Sequence, residues 1–529
     1  MSKKLHYLIP FDKNGKELNF IENGKKLASK AVLKVLSEDK SITDVFIMSH
    51  GWWNDVEDAQ KSYQTWMNVM ANSCDINNIS QECKEQTGSE FKPLVIGIHW
   101  PSKPLGEENL TNDLFSFDTK SDPSVEDLVD LYAKQIADTD IARQALKTII
   151  EAAMAIEEDK IPDKLPPEIG QAYKILAQEI GLSFDGVAAA PGADQDSFDP
   201  DKIYQAAIEE IQAEDKTVSF GVFADIIDKV KAVILAPIRM LSFWDKKALA
   251  CKIGENAIFP LLKKLQSSTD KKVRFHMMGH SFGCIVVSAA IAGPKNGDNT
   301  LVRPVNSVSL IQGAFSLWSY CSEIPLKYDS KGRAGYFNSI IKNREKCVLG
   351  PIITTQSKHD KSLALAYRAA TWTDDLVSKD IHVRYDARNE YPKYGAVGSY
   401  GLQGLQIVEE KMHTKDIPPL FELGKEYNLN CDDIIKGHTK FANTDVANIV
   451  WSAVLSGIKA SQVAKTAPTF SIRQEGDGNL VVDNAELSLN HQLIQSLEQF
   501  VESTTQQVEQ LKLKIASAQK LLDELKRPS

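Results

Sequence analysis

Lys272-Val273-Arg274-Phe275-His276-Met277-Met278 runs directly into Gly279-His280-Ser281-Phe282-Gly283 and then into Cys284-Ile285-Val286-Val287-Ser288-Ala289-Ala290. A short apolar run, a Gly-x-Ser-x-Gly turn and a second apolar run follow without a gap, which predicts strand, tight turn and helix. A serine hydroxyl is a poor nucleophile unless it is presented to a base and aimed at a pocket for negative charge. A sharp strand-to-helix turn exposes the Oγ of Ser281, and glycines at 279 and 283 remove side chains that would collide there. The N–H of Phe282 then opens the helix, where donors are unpaired and the dipole favours a developing negative charge. The alternative reading is the βα turn of a nucleotide-binding sheet that uses its glycines only for tightness.

Outward from this stretch, Val45-Phe46-Ile47-Met48-Ser49 reads as a strand running into His50-Gly51-Trp52-Trp53-Asn54-Asp55. Val95-Ile96-Gly97-Ile98-His99 reads as another strand, ending in Trp100-Pro101-Ser102. In this order the three segments resemble the α/β-hydrolase superfamily, particularly its bacterial members with a His-Gly-Trp/Tyr loop and a Trp-Pro-Ser segment. The resemblance covers about 41–102 and 241–460. It implies a mostly parallel sheet flanked by helices, with Ser281 as nucleophile. It also implies an oxyanion hole from the N–H groups of Phe282 and Trp52, with His50, Gly51, Gly279, His280 and Gly283 as the supporting motif. No metal and no cofactor are required by such a site.

In that family the acid and the histidine follow the nucleophile in the chain. Pro351-Ile352-Ile353-Thr354-Thr355 reads as a strand leading through Gln356-Ser357-Lys358-His359 to Asp360, and the Ser-x-x-Asp run before Lys361-Ser362-Leu363-Ala364 is similar to the family's acid loop. Asp360 is the candidate acid, with Asp374 and Asp380 as rivals; its other reading is a helix cap or a solvated loop carboxylate. Among ten histidines, His6 and His491 fall outside the core segments, and His276 alternates within a strand, where core packing is the commoner role. His438, on a loop after Gly437 and before the last core helix, matches the family's position for the base; His413 and His382 are the alternatives.

The 529 residues exceed what one small core needs and divide by pattern into four regions. Residues 1–102 and 241–466 alternate short apolar strands with helical periods, giving an α/β core in two parts. Residues 103–240 read as a helical cap insertion with helices over 125–158, 167–180 and 201–213, carrying 28 acidic against 13 basic residues. Its stretch 230–244 is apolar enough either to line an acyl pocket or to be ordinary cap core. Residues 467–529 read as a hairpin around Glu475-Gly476-Asp477-Gly478 followed by a long heptad-like helix, whose apolar positions recur every three or four residues through 487–525. That tail is a candidate for homo-oligomerisation or for docking a protein partner; packing on its own domain is the plainer reading.

The net charge of −10 argues against a nucleic-acid groove, which needs concentrated Lys and Arg. No uncharged run approaches the length of a transmembrane span. The N-terminus has no apolar stretch behind Lys3-Lys4, so no secretory leader is readable. Seven scattered cysteines with neither CxxC spacing nor a Cys/His cluster suggest a reducing compartment, and the cytoplasm is expected. The expected function is a serine esterase or lipase-like hydrolase acting on a small-molecule or lipid-like acyl substrate. Amidase, peptidase or thioesterase chemistry on the same three residues is one alternative. A non-catalytic scaffold that recruits partners in a bacterial effector or defence system is another.

Overall fold

Strand β2 (Asp44–Ser49) is buried along its whole length, and its side chains alternate between two cores. Val45 and Ile47 join one apolar cluster, and Phe46 and Met48 join another. That is the signature of a strand covered on both faces, where successive side chains point to opposite sides. The chain is seen here in a computed structural model, which describes residues 6–19, 27–52, 54–73, 76–103, 124–134, 136–155, 161–212, 229–360, 363, 391–415, 418, 420–466, 471–474 and 480–483.

Around β2 the strands β1 (His6–Pro10), β3 (Pro93–His99), β4 (Arg274–His280), β5 (Ser307–Ile311), β6 (Ile352–Gln356), β7 (Val408–Lys411) and β8 (Glu426–Asn430) form one eight-stranded sheet. Its order is β1-β3-β2-β4-β5-β6-β8-β7, and every neighbouring pair is parallel. In a parallel sheet all C-terminal ends open on one edge, so the segments after β2, β3, β4, β5, β6 and β8 gather there.

One face is covered by α1 (Ala28–Glu38). The other is covered by α2 (Val56–Ser73), α3 (Ile76–Thr87) and the helix Thr444–Thr466. The first face also carries α4 (Val125–Ala133), α5 (Asp140–Ala155), α6 (Pro167–Glu179), α7 (Pro200–Gln212), α8 (Lys229–Ile253), α9 (Phe259–Ser267) and α10 (Gly283–Ala292) in one continuous apolar cluster. Residues 1–464 form one compact unit and 465–529 a second. In the second unit β9 (Ser471–Gln474) and β10 (Leu480–Asp483) pair antiparallel, the arrangement the turn residues between them predict. The heptad-like stretch 487–525 lies outside the described residues.

Several boundaries differ from the sequence reading. The helix expected over 125–158 is two, because Thr139 caps a new one: its Oγ1 accepts the Ala142 N–H at 3.1 Å. The division drawn at 240/241 falls inside α8, which continues through Pro237 to Ile253. Proline removes a helix donor and crowds the preceding turn. The carbonyl left without its helical donor by Pro237 is that of Val233; the Tyr173 hydroxyl donates to the next one along, Ile234 O, at 2.5 Å. Helix α3 and strands β7 and β8 were not anticipated. β8 reads Glu-Tyr-Asn-Leu-Asn, and its polar interior is satisfied in place: Asn428 Oδ1 accepts from the Leu402 N–H and its Nδ2 donates to Leu402 O and Glu409. Among the described residues no helix is long and apolar enough to cross a membrane.

Candidate active site

Ser281 follows β4 directly and takes a positive φ of 55°, a conformation uncommon for a residue with a side chain. Three backbone hydrogen bonds hold it there: its N–H donates to Ile311 O (3.0 Å), and its carbonyl accepts from Cys284 (3.1 Å) and Ala314 (3.2 Å). The elbow is pressed against the loop after β2. A Cβ placed on Gly283 would stand 2.1 Å from the Ser49 carbonyl oxygen and 2.7 Å from that of His50. One on Gly279 would meet the backbone of Gly283 and Cys284 at 2.5 Å. The glycines at 279 and 283 are therefore steric requirements of this packing.

His438 lies on the loop after β8, eight residues beyond Asn430, and Asp360 on the loop after β6. The structure brings both to Ser281. His438 Nε2 is 2.8 Å from Ser281 Oγ, and His438 Nδ1 is 2.7 Å from Asp360 Oδ2. A carboxylate only accepts, so in the neutral imidazole Nδ1 carries the proton and Nε2 offers its lone pair to the serine hydroxyl. Asp360 is fully buried and Oδ1 accepts the Leu363 N–H at 3.1 Å. The two loops are stitched together: Ser357 Oγ donates to Ile435 O (2.7 Å), and Asp432 accepts the Lys358 N–H (2.8 Å).

The motif residues around Ser281, His438 and Asp360 are held by packing and hydrogen bonds of their own. His280 Nε2 donates to the His438 carbonyl at 3.0 Å, and its ring stacks on Phe441 with centroids 4.0 Å apart. Burial and the neighbouring His438 push its pKa well below the ordinary value. His50 donates from Nδ1 to Gly51 O (2.8 Å), and its Nε2 meets His99 Nδ1 at 3.1 Å. Its ring lies flat on Trp100, which is fully buried. Burial first, then the adjacent His99, lowers the His50 pKa to about 3; burial brings His99 to about 4. Both are neutral pillars of the loop.

Sequence reasoning missed Tyr63 and Lys103, which pin this loop, and took Ser102 and Asp55 only as parts of the segments that carry the resemblance. The Tyr63 hydroxyl on α2 accepts the His50 N–H (2.8 Å) and donates to Ile98 O (2.6 Å). Gly97 leaves room for its ring, since a Cβ there would stand 2.7 Å from two ring atoms. Ser102 of the Trp-Pro-Ser segment accepts the Asn54 N–H at 3.0 Å, and Lys103 pairs with Asp55 at 2.6 Å. The short polar run after Trp-Pro was the available signal.

Trp52 and Phe282 are brought together, and Phe243 of α8 packs on both rings, with centroid distances of 5.5 and 4.9 Å. The apolar stretch of α8 is core: Val233 to Ala236 and Leu241 belong to the cluster under the sheet. A cavity of about 250 Å³ opens instead on the other side of the loop. Gly51, Trp52, His280 and His438 line one part of it, and Met48, Trp66, Met278 and Phe441 supply apolar wall.

The rival assignments fall elsewhere. His413 pairs with Asp433 at 2.6 Å at an exposed position, and His276 is buried against Asp44 and Ser307 at the N-terminal part of β4. Asp374, Asp380 and His382 lie outside the described residues. Among the described residues no group of three or more His, Cys, Asp or Glu is placed to hold a metal ion. No protein-family model, no curated protein and no solved structure matches this chain.

Proposed function

We propose that this chain is a serine hydrolase with an α/β-hydrolase-type core, cleaving a carboxylic ester of a small or lipid-like apolar acyl group. The observation that carries the reading is the continuous relay from Ser281 Oγ through His438 to Asp360, at 2.8 and 2.7 Å. In it Asp360 holds His438 in the tautomer with the proton on Nδ1. As Ser281 Oγ attacks the acyl carbonyl, His438 Nε2 takes the hydroxyl proton and then delivers it to the leaving alcohol. The N–H groups of Phe282 and Trp52 receive the oxyanion. Water, deprotonated by the same histidine, discharges the acyl-enzyme.

The insertion, α4 to α8, is read as a cap, and the tail 487–525 as a coiled-coil-like helix for self-association. The negative charge of the insertion disfavours anionic head groups and nucleotides at long range. The cavity of about 250 Å³ beside His438, with its apolar wall of Met48, Trp66, Met278 and Phe441, is read as the place for the acyl chain.

A fluorophosphonate probe followed by mass spectrometry tests the reading. Label on Ser281 is expected, with a loss of at least about 10²-fold in rate for His438→Ala and Asp360→Asn. An unlabelled wild-type chain would overturn it in favour of a scaffold. Undiminished labelling of His438→Ala would remove the base assignment alone. Matched ester, amide and thioester substrates then separate the alternatives that share the triad.

A further inference from the structure

We propose that Gln312 is a positioning residue for the triad, holding the Asp360 carboxylate in the orientation from which it aims His438. The proposal rests on the reading of Asp360 and His438 given above. Gln312 follows β5 immediately and is fully buried. Two acceptors flank one end of its side-chain amide, Gly398 O at 2.9 Å and Asp360 Oδ2 at 3.0 Å, which places the nitrogen there as donor to both. Asp360 then has three donors: the Leu363 N–H on Oδ1, and His438 Nδ1 and Gln312 on Oδ2. Oδ2, the oxygen that orients the imidazole, is thus fixed from a second direction.

The backbone at this point is arranged to make that contact. Gln312 has a φ of 47°, a region favoured by glycine and asparagine and sparsely used by glutamine. Strain of this kind persists where the surroundings over-determine it. Here they do: Gln312 N–H donates to Thr355 Oγ1 (3.0 Å), Gly398 N–H to Gly313 O (2.9 Å), and Ser357 N–H to Gly398 O (2.9 Å). A Cβ on Gly398 would stand 2.7 Å from the Gln312 carbonyl carbon. The same turn also braces the serine, since Ile311 O accepts the Ser281 N–H and Ala314 N–H donates to the Ser281 carbonyl. One four-residue segment, 311–314, therefore ties Ser281 through its backbone and Asp360 through a side chain.

The physical effect has a sign. A donor on Oδ2 spreads the carboxylate charge, so removing it leaves more negative charge facing the imidazole and favours the imidazolium. His280 faces the His438 ring at 5.0 Å between centroids, and burial keeps it neutral.

The test uses the full chain and the rate of fluorophosphonate labelling of Ser281 across pH. Gln312→Met keeps the length of the side chain and loses the donor. Gln312→Asn suits the positive φ better but is one methylene too short to reach Asp360. For both, the acid limb of the profile is expected to move to higher pH and the plateau rate to fall about tenfold or more. For Gln312→Asn, relief of the positive-φ strain offsets part of the lost buried hydrogen bonding, and a cooperative melt checks that the variant is folded. If Gln312→Met does not fold, the asparagine variant alone decides. An acid limb and plateau unchanged from wild type in the folded variant would overturn the role of Gln312 while leaving the triad intact. A wild-type chain that does not label removes the reading of Ser281 and this proposal with it.

Discussion

Gly51 lies so close to Ser281 that a Cβ added to it would stand 2.6 Å from the serine Cβ and 3.2 Å from its Oγ. The His-Gly loop and the elbow are thus in contact through the one residue type without a side chain. Gly51→Ala must push the loop, and with it the Trp52 amide, away from the serine. Because a misplacement of about 1 Å costs roughly 10²-fold in rate, labelling of Ser281 is expected to fall by about that factor. Circular dichroism unchanged from wild type checks that the loss is local.

Gly283→Ala meets a harder obstacle, the carbonyl oxygens of Ser49 and His50, which are backbone atoms that no rotamer change can move. Overpacking of this kind typically costs about 1–3 kcal/mol or more. A drop in the urea midpoint by that amount, without a change in slope, is the expected outcome.

The buried pair His50 and His99 predicts an acid-labile fold. Both pKa values lie below the ordinary 6.5, at about 3 and about 4. Between pH 6.5 and about 4 the unfolded chain binds protons that the folded chain does not, so stability is full above 6.5 and is lost as pH falls. Each histidine contributes up to about 1.4 kcal/mol per pH unit in that window. Urea denaturation at pH 7.5, 6, 5 and 4.5 measures the slope, and a flat series would show that these rings are protonated in the fold.

Phe243 connects α8 to the rings of Trp52 and Phe282. Phe243→Ala is expected to lose about 3–5 kcal/mol of stability and to lower the labelling rate of Ser281 in the fraction that stays folded. A variant that labels at the wild-type rate would show that the loop holds its shape without the helix behind it.

The cavity beside His438 gives a selectivity test. Ala442 is among its lining residues, and Ala442→Phe fills part of the volume. Hydrolysis of p-nitrophenyl octanoate is expected to fall by about tenfold or more relative to the acetate, since each excluded methylene forfeits about 0.8 kcal/mol of burial. Parallel losses for both esters would place the acyl group elsewhere.

Much of the core was legible because its signals are local. The strand–turn–helix at 274–292, strands β2 and β3 and most helices follow from periodicity and from glycines at fixed offsets. Strand β8 was not legible, because Asn428 and Glu426 break the apolar pattern and are satisfied only by partners distant in sequence, Leu402 and Arg344. The continuous course of α8 through Pro237 was not legible either, because a proline inside a helical pattern more often ends or kinks the helix.

The sequence by itself determined which residues were chemically equipped for the site: a serine between glycines, a carboxylate after a strand, and a histidine on a late loop. Their order in the chain said nothing of distance. Only the parallel stacking of β4, β6 and β8 along one sheet edge brought residues 281, 360 and 438 into a single hydrogen-bonded line. Only packing revealed Tyr63, Gly97 and Gln312, whose importance lies in contacts that no local pattern encodes. Residue type sets what a group can do, whereas orientation is a property of everything packed around it.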